Sequence, residues 1–176
     1  MFSSCLNLTS ISIGSGVNSI GSLIFSACPA LTNFTVDSNN LTFASQNNVL
    51  YNKALTTILQ VPVSIAGTFT IPNSVTTISK FAFYNSSITQ VVIPNSVTSI
   101  LSDAFNSSKL TSVTIPSSVV NFGDWVFLAC NELTNATVNA SRIGYSVFRL
   151  CSKLSNVTIN GSPPRFEGFA FGSCLS

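Results

Sequence analysis

The residues able to do chemistry are few. Five cysteines, Cys5, Cys28, Cys130, Cys151 and Cys174, each stand three residues after a phenylalanine. Ser86 and Ser108 fill the same position after Phe83 and Phe105. A zinc site would need clustered Cys and His at short spacings, and the chain has no histidine. A nucleophilic thiol would need a base, and the same lack removes the usual one. The spacing therefore reads as a small residue buried at a tight turn, interchangeable with serine. A bridge between adjacent copies of that turn, Cys5–Cys28 or Cys130–Cys151, stays open, because stacked positions fall within bridging distance. An odd count leaves at least one thiol unpaired.

The carboxylates are Asp37, Asp103, Asp124, Glu132 and Glu167. Asp103 and Asp124 lie two and three residues before consecutive phenylalanines, so neighbouring turns could bring them together. A paired-carboxylate glycosidase would use such an arrangement. Solvated turn residues are the simpler reading, since nothing else in the chain supports acid–base work. Nine N-x-S/T sequons begin at Asn7, Asn33, Asn40, Asn85, Asn106, Asn135, Asn139, Asn156 and Asn160. In a chain so rich in Asn, Ser and Thr they follow first from composition.

What positions these residues is a repeat. Phe2, Phe25, Phe83, Phe105, Phe127, Phe148 and Phe171 are separated by steps of 23, 58, 22, 22, 21 and 23 residues. A period in the twenties predicts a solenoid, in which no coil buries its apolar side alone. Each unit carries an alternating run such as Leu110-Thr-Ser-Val113-Thr-Ile115 or Leu133-Thr-Asn-Ala136-Thr-Val138. Its closing V-x-I has the period of two of a half-buried strand. Pro72, Pro94 and Pro116 follow the strand and end it. A second apolar pair comes next: Val75 and Ile78, Val97 and Ile100, Val119 and Phe122. It returns as a short extended piece or turn, and the unit closes on a phenylalanine that should stack on its predecessor.

The predicted architecture is a β-rich repeat solenoid of 21–23-residue coils, with a parallel sheet along one face and little or no long α-helix. The whole chain, 1–176, is expected to form one solenoid. Regular coils cover 2–36 and 69–171, and residues 37–68 form an irregular, hairpin-like insert. Neither end offers a polar cap, so the chain is expected to be a segment of a longer array, with neighbouring repeats as partners.

Composition excludes several functions. Only 7% of residues are charged against 45% apolar, and the net charge of +2 forms no basic stripe. Nucleic-acid binding therefore has no electrostatic support. No apolar run reaches the ~20 residues of a membrane span, although mean hydropathy is +0.48. No charged-then-apolar leader opens the sequence. No metal and no cofactor is expected.

The strings Ile71–Ile78 (IPNSVTTI) and Ile93–Ile100 (IPNSVTSI) resemble the BspA-like, Treponema pallidum-type leucine-rich repeat. So do the Ala-Phe pairs at 82–83 and 104–105, the Cys after Phe, the L-T-x-V-x-I strand and the interruption VDSNN…NNVLYNKALTTILQVP. The resemblance spans nearly the whole chain. It implies a surface protein of mucosal bacteria or protozoan parasites, associated with adhesion and not an enzyme. Without a visible leader or anchor, a cytoplasmic scaffold or truncated copy is the alternative. In leucine-rich repeats the strand lines the concave, binding side. Its outward positions here are Ser10, Ser12, Asn33, Thr35, Gln90, Val92, Ser112, Thr114, Asn135, Thr137, Asn156 and Thr158. They make an uncharged, hydrogen-bonding face for a protein or glycan ligand.

Overall fold

The computed structural model describes residues 5–25, 28–140, 142–160, 165–172 and 174. Phe2, the first phenylalanine of the repeat, lies outside them. In chain order the strands are β1 (Ser10–Ile13), β2 (Asn33–Val36), β3 (Phe43–Gln46), β4 (Val49–Asn52), β5 (Thr57–Gln60), β6 (Ala66–Thr70), β7 (Thr77–Ile78) and β8 (Ser87–Val92). Then come β9 (Ser99–Ile100), β10 (Ser112–Ile115), β11 (Asn121–Phe122), β12 (Asn135–Val138), β13 (Arg142–Ile143), β14 (Asn156–Ile159) and β15 (Arg165–Phe166). The fold is a β-solenoid, and the described residues contain no helix.

Alternation sets the first face. In β10, Val113 and Ile115 are buried while Thr114 points to solvent. Strands of this kind pair in parallel as β1–β2, β6–β8 and β10–β12–β14. The expected sheet along one face is thus present in three hydrogen-bonded pieces. After β6, β8 and β10 a proline carbonyl closes a turn: Pro72 O accepts Val75 N–H, Pro94 O accepts Val97 N–H and Pro116 O accepts Val119 N–H. The buried V-x-x-I pair then builds a second sheet, in which β5, β7, β9 and β11 are parallel neighbours; β13 and β15 pair in parallel as a separate two-stranded sheet.

The phenylalanines close the coil. Rings of Phe83, Phe105, Phe127, Phe148 and Phe171 stack face to face at centroid separations of 4.6, 5.2, 5.4 and 5.6 Å. The backbone around them makes a third ladder. Two residues before the ring, Leu23, Phe81, Asp103, Trp125, Ser146 and Phe169 all adopt left-handed φ values between 52° and 62°. Two residues after it, Asn85, Ser107, Ala129 and Leu150 do the same. Each such residue costs on the order of 1–2 kcal/mol. The return is that alternate N–H groups aim at the next coil. Phe105 N–H reaches Val126 O at 2.9 Å and Ser107 N–H reaches Leu128 O at 2.8 Å; the adjoining coils repeat this.

Between the second and third phenylalanine, β3, β4 and β5 form an antiparallel meander, one strand more than the two suggested by the sequence. It runs through the interior. Leu50 on β4 packs into a small core with Phe25, Leu31, Phe34 and Phe43. Its neighbours Val49 and Tyr51 face the main core, which continues through Phe83 to Phe148. Because β4 is buried on both faces, it works as a wall between two cores, not as a surface excursion.

Candidate functional site

The thiols are structural. Cys5, Cys130, Cys151 and Cys174 are free thiols. Cys130 Sγ donates to Phe105 O at 3.1 Å, Cys151 to Phe127 O at 3.0 Å and Cys174 to Phe148 O at 2.8 Å. Each sulfur thus ties its coil to the stacked phenylalanine one coil back. Contact with the Cys130 sulfur, together with burial, pushes the Cys151 thiol far above its ordinary value. Burial also raises Cys28 and Cys174. A thiol held protonated donates and does not attack. Ser86 is the exception. It follows the 58-residue step, where no stacked phenylalanine precedes it, and its hydroxyl is buried without a partner.

Two substitutions test this. Cys130→Ser keeps a donor for Phe105 O and should change stability by less than about 1 kcal/mol. Ser86→Ala removes an unsatisfied hydroxyl and should be neutral or stabilising by up to about 1 kcal/mol. Urea midpoints read both, and a loss above about 2 kcal/mol in either would contradict the assigned roles.

Every carboxylate is engaged. Asp103 Oδ1 accepts Asn106 Nδ2 at 2.9 Å, and Asp124 Oδ1 accepts the Tyr145 N–H at 2.8 Å. The two residues sit on neighbouring coils, where Asp103 N–H donates to Asp124 O. The Asp103 side chain is thus bound into its own turn, and that of Asp124 to the next coil. Asp37 Oδ1 accepts Asn39 N–H. Glu132 pairs with Lys153 at 2.7 Å and Glu167 with Arg142 at 2.8 Å. Among the described residues no cluster of His, Cys, Asp or Glu could hold a metal.

The sequon asparagines also make contacts. Asn156 Nδ2 donates to Asn135 Oδ1 at 3.1 Å, and Asn160 to Asn139 at 2.9 Å. Asn40 is fully buried. Its Nδ2 donates to Gly14 O and Val17 O, both at 2.8 Å, and its Oδ1 accepts Thr42 N–H and Phe43 N–H. As a sequon it signals glycosylation; in the fold it is a latch.

The twelve outward positions of the first face lie on β1, β2, β8, β10, β12 and β14. They are in register as Ser10 with Asn33, Ser12 with Thr35, and Ser112 with Asn135 and Asn156. Thr114, Thr137 and Thr158 form a second row. Ser12 and Thr35 share a 2.8 Å hydrogen bond. The remaining pair, Gln90 and Val92 on β8, face Thr68 and Thr70 of β6.

One of the two breaks in the face lies between β8 and β10. Against β6, the ladder of β8 steps from Ile88 to Gln90 and skips Thr89, a bulge beside Gly67, which has φ of 78°. A bulge bends its strand and breaks the local ladder. On its other side β8 does not pair with β10, although Thr111 N–H still reaches Thr89 O. The gap is an open cleft of about 420 Å³ lined by Gln90, Val91, Val92, Ile93, Ser112, Val113, Thr114 and Pro116. Four of these, Gln90, Val92, Ser112 and Thr114, are outward positions of the face.

The family model of the BspA type leucine rich repeat region matches residues 1–66 and 64–176, in six copies. The chain belongs to the BspA-type leucine-rich repeat family. No curated protein matches it. Solved structures do. A leucine-rich repeat protein from Eubacterium ventriosum aligns with TM-score 0.82 and 27% identity over 94% of this chain and 52% of its own. A leucine-rich cell surface protein from Faecalibacterium prausnitzii aligns at 0.65 and 27% over 88% and 48%. The pneumococcal vaccine antigen PcpA shares the fold at 0.65 and 20% over 88% and 45%. This BspA-type chain spans about half the length of those proteins.

Two features of the BspA-type face escaped sequence reasoning. Thr68 and Thr70 extend its rows onto β6; their alternation within AGTFT was the available signal. The cleft had none, because the Phe83–Phe105 unit matches the next unit in length and pattern.

Proposed function

We propose that this chain is a non-enzymatic binding module of a surface protein. It presents the Ser/Thr/Asn-lined strand face to a host, matrix or other protein or glycan partner, with the ligand centred on the cleft between β8 and β10. The cleft carries the reading: its volume falls within the range of ligand sites, and uncharged hydrogen-bonding groups converge on it beside the apolar Val92. The cell-surface name of the Faecalibacterium relative supports the location. Affinity on so uncharged a face comes from shape and many hydrogen bonds, so it should depend little on salt.

Immobilised fibronectin, fibrinogen and mucin are suitable first partners. Binding of the native chain should change less than about twofold between roughly 50 and 500 mM NaCl. Thr114→Lys, which fills the cleft with a charge, should weaken it roughly tenfold or more with an unaltered unfolding midpoint. Binding that survives both Thr114→Lys and Thr137→Lys would place the partner elsewhere. Antibody labelling of cells only after permeabilisation would remove the surface role.

A further inference from the structure

The strand face lacks aromatic anchors, but the opposite corner of the coil has them. Trp125, Tyr145 and Phe169 come from three successive coils and are 36, 37 and 73% exposed. Their rings meet edge to face at 6.1 and 6.0 Å, forming a row one ring wide. Beside it is a hollow of about 290 Å³ lined by Tyr145, Ser146, Arg149, Phe169 and Gly172. Two groups in the hollow are unspent. Ser146 is wholly buried, and its Oγ has no hydrogen-bond partner. Arg149 is exposed and has no ion pair among the described residues. The nearby carboxylates are occupied, Glu167 by Arg142 and Asp124 by the Tyr145 N–H.

We propose that this row and hollow bind a carboxylate-bearing oligosaccharide, with sugar rings against Tyr145 and Phe169, the carboxylate on Arg149 and a hydroxyl on Ser146. A narrow row repeating at the coil pitch suits a polymer of rings of similar pitch, whereas a protein partner would need a wider patch. The unpaired guanidinium selects an anion and supplies two parallel donors to a carboxylate. Gly172, having no side chain, keeps the floor beside the Arg149 stem open; a Cβ there would sit 3.8 Å from it. This site is separate from the strand face and does not rest on it.

Trp125 is the single tryptophan of the chain, so its emission reports binding at the row. Titration with oligogalacturonate or α2,8-linked oligosialic acid should shift that emission, and neutral maltohexaose should bind roughly tenfold more weakly or not at all. Arg149→Gln and Tyr145→Ala should each weaken the acidic sugar roughly tenfold. Ser146→Ala should weaken it while leaving the unfolding midpoint unchanged or higher, an outcome that a purely structural serine would not give. No shift with either acidic sugar, equal binding of the neutral one, or indifference to Arg149→Gln would overturn the proposal. So would an emission change that follows protein concentration alone, with a dimer in sedimentation, since the occupant would then be a second copy.

Discussion

Asn40→Ala should cost about 3–4 kcal/mol, although the residue looks on paper like a surface sequon. Its amide bonds four backbone groups at once: it gives Nδ2 to Gly14 O and Val17 O, and takes Thr42 N–H and Phe43 N–H at 2.9 and 2.7 Å on Oδ1. The side chain is fully buried, so water cannot take over without entering the small core. Orphaning a buried backbone group costs ~1–3 kcal/mol, and local relaxation recovers some of the four. Asn40→Asp separates shape from hydrogen bonding. It keeps both acceptor bonds and turns an oxygen towards two carbonyls, so at neutral pH it should be as damaging as alanine. Neighbouring Asn39 is exposed, and Asn39→Ala should stay within about 0.5 kcal/mol. Urea midpoints of the three variants decide. A loss below about 1 kcal/mol for Asn40→Ala would mean that the latch is not holding the first coil to β3.

What the sequence made legible was whatever repeats through side-chain type. V-x-I alternation located the strands, proline their ends and phenylalanine the stack, since each depends on a residue that the fold cannot easily replace. The left-handed corners were invisible for the opposite reason. Glycine is the usual mark of positive φ, but Leu23, Phe81, Asp103, Trp125, Ser146 and Phe169 occupy that corner. Inter-coil hydrogen bonds enforce the conformation there, so the cause lies in the neighbouring coil and not in the local residue. The row of Trp125, Tyr145 and Phe169 was hidden with it. The cleft between β8 and β10 was illegible in the same way. The bulge that opens it arises where β8 meets β6 at Gly67, on leaving the meander, and no residue of the Phe83–Phe105 unit announces it. Asn40 shows a third kind of blindness: one local motif serves two purposes, and burial decides between them.

Removal of a ring from the middle of the phenylalanine stack should cost more still. Phe127 is fully buried, stacked on Phe105 at 5.2 Å and Phe148 at 5.4 Å, with Phe122 edge-on at 6.3 Å. Phe127→Ala loses the transfer energy of the ring and leaves a cavity, together about 3–5 kcal/mol. Loss of two stacked contacts puts it at the upper end of that range. The effect must depend on position, because a solenoid coil is held only by its neighbours. Phe171 stacks on one described ring, that of Phe148 at 5.6 Å, and is only half-buried. Phe171→Ala should therefore cost less than half as much and fray one coil. Phe127→Ala interrupts the array instead, leaving coils on each side to melt separately. The urea transition should broaden, and its slope should fall because less surface is exposed in each step. Phe127→Leu refills most of the volume and should restore a single transition at a cost of about 1–1.5 kcal/mol. Equal losses at 127 and 171 with unchanged slopes would show that the chain unfolds as one globular unit, and that the stack does not carry stability from coil to coil.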